Sequence, residues 1–170
     1  MKHNLKIHHT PTPKALPTAF NWKSFDLGIV SSFSLFIPTT VIQKIPLINI
    51  HPSLLPQWRG PAPIQFSLLS GQSCTGVSII DLHPKTIDAG NILLQKSIEI
   101  PQKDSIYYTK LESLLAGLGG ELSAQVLDNF PKFWKEKMPQ CELDSLDLSS
   151  MAKSTKISKA DGVFSFALDS

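Results

Sequence analysis

A chain of 170 residues, 42% hydrophobic and 18% charged, is long enough for one buried core and too apolar for a disordered polymer. Its formal charge of +2 is too small to mark a nucleic-acid binder by itself, so contact with an acidic partner has to come from local patches. No apolar run reaches the roughly 20 residues of a membrane span, and Cys74 and Cys141 make neither a disulfide framework nor a zinc spacing, which points to a reducing compartment.

Residues 1–24 carry Lys2, Lys6, Lys14 and Lys23, no acid, three prolines (Pro11, Pro13, Pro17) and no hydrophobic period, so they read as an irregular basic arm. A mitochondrial presequence is not favoured, because such segments are rich in arginine and this one has none. His3, His8 and His9 have no carboxylate or cysteine near enough to complete a metal site, and no metal is expected. The apolar run at 26–31 suits a strand covered on both faces. A short helix over 39–44 crosses back to a second strand over 46–51, and strand, crossover and strand imply a parallel pair.

A proline-rich loop over 52–60 then leads into a helix over 61–70. Pro61 fits the first turn, where its missing N–H is not needed, and Gly71 fits a left-handed cap just past the end. Residues 76–81 and 91–100 read as strands, and Pro84, Asp88 and Gly90 between them suggest an antiparallel return. The longest helical pattern covers 104–130, with Tyr107, Leu111, Leu114, Leu115, Leu118, Leu122 and Val126 recurring at threes and fours. Gly117, Gly119 and Gly120 weaken it, each by up to about 1 kcal/mol relative to Ala. They sit mid-helix rather than between a strand and a helix, so close packing or a kink is expected and not a phosphate cradle. From 131 the pattern fades. The expected organisation is an arm over 1–24, a core over 25–130 and a linker over 131–170, with no internal repeat.

Asn49 and His51 lie two apart at the carboxyl end of a predicted strand, so alternation points both side chains to one face. Ligands of open α/β sheets bind at such strand ends. An amide donor and an imidazole there suit a developing oxyanion, and Asp88 in the later Asp-Ala-Gly turn suits the role of orienting or protonating the imidazole. Taken singly, each feature has a plainer reading: Asn-x-His as a capped strand end, Asp-Ala-Gly as an ordinary turn. The long loop from Ser53 to Ile64 tips the balance, since joining a strand to a helix does not require it. A Ser53–His51–Asp88 hydrolase is disfavoured, because Ser53 lacks the strand-to-helix elbow of such nucleophiles. Trp58 and Arg59 suit either a clamp for an acidic or aromatic ligand or packing within the loop.

In combination, Asn49, His51, Ser53, Leu54, Leu55 and Pro56, then Arg59-Gly-Pro-Ala-Pro-Ile, Thr75-Gly-Val and Asp88-Ala-Gly, resemble the formyltransferase family over about residues 26–100. The resemblance implies an α/β fold with a doubly wound, Rossmann-like sheet. It implies Asn49, His51 and Asp88 as the catalytic trio and Ser53, Leu54, Leu55 and Pro56 as a folate-binding stretch. The Arg59-Gly-Pro-Ala-Pro-Ile-Gln run is closer to the tRNA-acting members than to those acting on glycinamide ribonucleotide. The implied reaction moves a formyl group from 10-formyltetrahydrofolate to the α-amino group of initiator methionyl-tRNA, with no metal and no membrane, in a monomer.

The run from His83 to Asp88 looks more like mitochondrial members, which implies the mitochondrial matrix. Family members have further strands before residue 26, an aromatic followed by Gly where Phe33 and Ser34 stand, and a C-terminal β-barrel whose entrance resembles residues 156–162. The chain is therefore expected to be truncated at both ends, with its first strands and the barrel missing and a hydrophobic sheet edge open. Two alternatives follow: a catalytically silent fragment, or a related transferase acting on a sugar-nucleotide amine.

Overall fold

Alternation along one strand organises the molecule. In the computed structural model, which describes residues 12, 15–33, 36–100, 107–140 and 153–158, strand β2 (Leu47–His51) sends Leu47 to one face of a sheet and Ile48 to the other. Leu47 packs with Leu16, Val41 and Ile45, contributed by α1 (Leu16–Ala19), α2 (Thr39–Ile42) and the turn after it. Ile48 joins Val77, Ile79 and the apolar stripe of a long helix, α4 (Tyr108–Asp128). The sheet is thus covered on both faces, as an α/β fold requires.

Among the described residues the sheet has four strands in the order β1-β2-β3-β4 and is mixed. β1 (Gly28–Val30) runs parallel to β2, with Gly28 opposite Leu47 and Val30 opposite Asn49, and α2 provides the crossover. β3 (Cys74–Asp81) and β4 (Ile92–Glu99) are antiparallel to their neighbours, and His51 stands opposite Ser78. The predicted parallel pair and antiparallel return are both present. Helix α3 (Pro63–Leu69) starts two residues later than expected, with Pro63 rather than Pro61 in its first turn, and Gly71 does adopt the left-handed region at φ +67°.

Burial of α4 follows Leu111, Leu115, Leu118, Leu122 and Val126, a stripe at threes and fours. Tyr107 and Leu114 depart from the expectation. Tyr107 is the extended N-cap and 64% exposed, and Leu114 falls on the flank of the stripe at 45%. The helix runs unbroken through Gly117, Gly119 and Gly120. A Cβ on Gly119 would come within 2.9 Å of Ile50 Cγ2 on β2, whereas Gly117 and Gly120 face open space. Close packing of helix on sheet is therefore the reason for one glycine of the three.

The stretch after residue 130, expected as a linker, continues as helix α5 (Phe130–Glu136), with Phe130, Phe133 and Trp134 against the main core. Met138 then exchanges two backbone hydrogen bonds of 2.8 Å with Ile92 at the start of β4. In the N-terminal stretch, α1 and a short 3-10 turn (Trp22–Ser24) are ordered against α2. His3, His8, His9, Ser34, Cys141, residues 104–106 and residues 159–162 lie outside the described residues.

Two outcomes follow from this packing. Gly117→Ala and Gly120→Ala should each raise the unfolding free energy by up to about 1 kcal/mol, while Gly119→Ala should lower it by about 1–3 kcal/mol through overpacking. Denaturant titration checks this, and three equal effects would remove close packing as the reason for Gly119. Among the described residues β1 pairs on one side only, and Phe25, Ile29, Phe33 and Phe36 on and around it are 44–49% exposed. A hydrophobic dye should therefore fluoresce on the native chain and lose most of that signal in Ile29→Lys. A sharp unfolding transition with no dye signal would show this flank to be covered.

Candidate active site

Asn49 and His51 project from the end of β2 on the face away from α4, since Ile50 between them meets Gly119 of that helix. His51 is 4% exposed. Its Nε2 lies 3.0 Å from the carbonyl oxygen of Trp58, and a carbonyl only accepts, so Nε2 carries the proton. Nδ1 then presents its lone pair 3.6 Å from Asp88 Oδ2. Burial pushes the imidazole pKa below the usual 6.5, against the opposing pull of the Asp88 charge and the Trp58 carbonyl. The ring is therefore neutral at pH 7, with a vacant basic nitrogen facing a carboxylate.

Asp88 is the meeting point. Its Oδ1 accepts a hydrogen bond from Asn49 Nδ2 at 3.2 Å, and its Oδ2 accepts one from the backbone N–H of Gly60 at 3.0 Å. One hydrogen of the Asn49 amide is spent on this contact, and the second meets no acceptor among the described residues. The backbone around the carboxylate is unusual: Asp88 and Trp58 have φ of +54° and +59°, and Gly60 has φ of +119°. The left-handed region costs a residue with a side chain roughly 1–2 kcal/mol. Here it turns the Trp58 carbonyl onto His51 and carries the Asp88 side chain back toward β2. At Gly60 a side chain is excluded altogether, because a Cβ would sit 2.2 Å from the backbone oxygen of Ser154.

The loop over 82–90 is clamped at its base. Asp81 accepts hydrogen bonds from the backbone N–H and side-chain amide of Asn91 at 2.6 and 2.9 Å, and pairs with Lys137 Nζ at 2.7 Å. Lys137 in turn lies 3.6 Å over the Trp134 ring. Each tie shortens the span over which Asp88 can wander.

Ser53, Leu54, Leu55 and Pro56 form the turn beneath His51, with a cis peptide bond between Leu55 and Pro56. Ser53 is wholly buried, and its hydroxyl donates to the Gln57 carbonyl at 2.6 Å. Ser78, opposite His51 on β3, donates to the Ser53 carbonyl at 2.6 Å and accepts the Leu55 N–H at 3.1 Å. Leu55 is buried, whereas Leu54 and Pro56 are half-buried and can still meet a ligand. Because the Ser53 hydroxyl is spent on Gln57 and the His51 Nε2 proton on the Trp58 carbonyl, the Ser–His–Asp relay of a hydrolase is not formed.

Residues beyond the expected set complete the surroundings. Gln140, 2% exposed, donates to the carbonyls of Asp88 and Gly90 at 3.0 and 2.5 Å and accepts from Arg59 Nε and Nη2 at 3.0 and 2.6 Å. Arg59 is thus held within the loop by a neutral partner. Ser154 caps the same loop, its N–H on the Arg59 carbonyl at 2.9 Å and its hydroxyl oxygen accepting the Ala62 N–H at 3.1 Å. Neither Gln140 nor Ser154 carries a periodic or motif signal. A cleft of about 290 Å³ opens elsewhere, at the start of β2 between Ile42, Pro46, Asp81, Leu82 and Trp134, and it includes none of Asn49, His51 and Asp88.

Comparison with known proteins gives this geometry a context. The model of the formyl transferase family matches residues 6–125. The mitochondrial methionyl-tRNA formyltransferase of Homo sapiens is 36% identical over 140 residues, covering 72% of this chain and 36% of that protein. The methionyl-tRNA formyltransferase of Ehrlichia canis is 47% identical over 106 residues, covering 61% of this chain and 34% of that protein. The chain therefore spans about a third of the length of the curated relatives it matches. Among solved structures, HypX from Aquifex aeolicus in complex with tetrahydrofolic acid superposes with a TM-score of 0.67 over 93% of this chain and 26% of that one. Glycinamide ribonucleotide transformylase 1 from Symbiobacterium toebii does so with 0.63 over 71% and 56%. At 22% and 20% identity, these two likenesses are of fold. With the family model matched across most of the chain and its motif residues gathered around Asp88, this chain belongs to the formyl transferase family.

Proposed function

We propose that the chain transfers a formyl group from 10-formyltetrahydrofolate to the α-amino group of methionyl-tRNA, for translation initiation in the mitochondrial matrix. The convergence of Asn49, His51 and Gly60 on the Asp88 carboxylate carries this reading. The names of the relatives support the acceptor, and the mammalian ones support the compartment. The tetrahydrofolic acid held by HypX, whose fold superposes on this chain, supports the carrier. Residues 25–130 are read as the catalytic core, acting as a monomer, with Leu54 and Pro56 presenting the exposed part of the folate-binding stretch and Ser53 and Leu55 shaping it from beneath.

The chemistry needs no covalent enzyme intermediate. The lone pair of the acceptor amine forms the new C–N bond, and the formyl C=O electrons move onto oxygen. The Asn49 N–H that meets no acceptor among the described residues donates to that oxyanion in a partly buried site, where such a bond is stronger than in open water. The attacking nitrogen sheds a proton into the space between Asp88 Oδ2 and the basic Nδ1 of His51, two acceptors 3.6 Å apart. Collapse of the tetrahedral carbon restores C=O and breaks the bond to the folate nitrogen, which takes up a proton. Alignment of carrier and amine supplies the rest of the acceleration.

The direct test is formyl transfer by the purified chain from 10-formyltetrahydrofolate to methionyl-tRNA. Transfer is expected, with kcat falling about 10²–10³-fold in Asn49→Ala and Asp88→Asn and the KM for the folate little changed. Near wild-type turnover in both variants would sink the assignment. A second measurement concerns the proton. The folded-state pKa of His51 is depressed, so the ring should stay neutral as pH falls through 6.5 and charge only below it. The stability it contributes is then present above about pH 6.5 and lost as pH falls through the lowered value. Ring resonances assigned by comparison with His51→Gln report this, and a midpoint at or above 6.5 would overturn the neutral-imidazole role.

A further inference from the structure

We propose that Gln140 is a positioning residue for Asp88, setting the carboxylate against Asn49 and His51 from fifty residues downstream; the inference rests on the formyl-transfer reading of that site. The geometry is specific. The carboxylate of Asp88 is held by the N–H of Gly60, so its place depends on the separation of two backbone segments, one around Asp88 and one around Gly60. Gln140 grips both. Its Nε2 donates to the carbonyls of Asp88 and Gly90, either side of Ala89. Its Oε1 accepts two hydrogen bonds from Arg59, the residue just before Gly60. The firm hold is therefore on the Asp88 side of the Gly60–Asp88 hydrogen bond, and the Arg59 end is a long side-chain tie that completes the bonding of the amide.

The residue type fits the task. A neutral amide of this length offers two donor hydrogens and an acceptor oxygen at once, matching two carbonyls on one side and a guanidinium on the other. A glutamate would keep Arg59 but aim a second oxygen at two carbonyl oxygens. A methionine would fill the space and leave both ends unbonded. The Asp88 backbone, at φ +54°, lies in a region that a residue with a side chain rarely adopts, so the loop needs an outside hold to keep it there. Gln140 is itself fixed, because Met138 two residues earlier is bridged to Ile92 on β4. The donor end of the amide is the one that acts on Asp88.

The experiment compares the full chain with Gln140→Met, Gln140→Glu and Arg59→Met, each labelled with ¹⁵N. Hydrogen exchange of the Gly60 amide reads the Asp88 contact directly and needs no activity. Exchange should speed up about tenfold or more in both Gln140 variants and stay within about threefold in Arg59→Met. In the transfer assay, both Gln140 variants should lose about tenfold or more in kcat, with KM for the folate within about twofold, a split that general loosening of the fold would not produce. Wild-type Gly60 exchange in Gln140→Glu overturns the proposal, and so does equal exchange in Arg59→Met and Gln140→Met. Should Gln140→Met fail to fold, Gln140→Glu, which keeps its volume and the Arg59 contact, decides alone. If the unaltered chain transfers no formyl group, the functional reading falls, and the exchange measurement still settles whether Gln140 places Asp88.

Discussion

A carboxylate drawn out of bulk water has to be met by donors, and much of this structure is arranged around meeting one. Asp88 receives the Asn49 amide and the Gly60 N–H and faces the basic nitrogen of His51. None of these groups is its neighbour in the chain. β2 must pair with β3 in the observed register for Asn49 and His51 to stand where they do, and the loop after β2 must double back through two left-handed residues to bring Gly60 over them. Asp81 and Asn91 tie the base of the later loop.

The same enclosure sets the chemistry. An exposed histidine near pH 7 would divide its time between charged and neutral forms. Burial tilts His51 to the neutral form, and the Trp58 carbonyl selects the tautomer whose free lone pair faces Asp88. In the proposed reaction the nucleophilic amine needs somewhere to leave its proton, and the Asp88 carboxylate beside His51 Nδ1 is the acceptor that leaves the imidazole uncharged. The structural turn from Ser53 to Pro56 contributes by stiffness: the Ser53 hydroxyl and carbonyl and the Leu55 N–H and carbonyl are taken by Gln57, Ser78 and Gln95, so it supports the site without competing for protons.

Membership of the formyl transferase family and the mixed, doubly covered sheet agree with each other, and the proposed site lies at the end of β2. The match extends on both sides of the motif block at 26–100, into the N-terminal stretch and along α4. That helix carries no site residue. Its stripe of leucines forms the floor on which Ile48, Val77 and Ile79 rest, so that the opposite face of β2 is held firmly enough to present Asn49 and His51.

Much of this could be read from residue order. Short apolar runs, the crossover at 39–44, the glycine past α3 and the shared face of Asn49 and His51 are consequences of local periodicity and turn chemistry, which act over a few residues. Residue type suggests Asp88 as the partner of that pair and the family resemblance implies it, but no local period fixes their nearness, since 39 and 37 residues separate it from Asn49 and His51. Nothing in the sequence announced Gln140 or Ser154. They lie in stretches without a period, and their partners Arg59 and Ala62 are 81 and 92 residues away. The exposure of Tyr107 and Leu114 and the separate fates of three neighbouring glycines were equally hidden, because a period identifies a stripe but not which of its flanks meets another element. Local order decides which faces exist; contacts across the folded chain decide what each face touches, and at this site the touching is what makes a carboxylate, an amide and an imidazole into one unit.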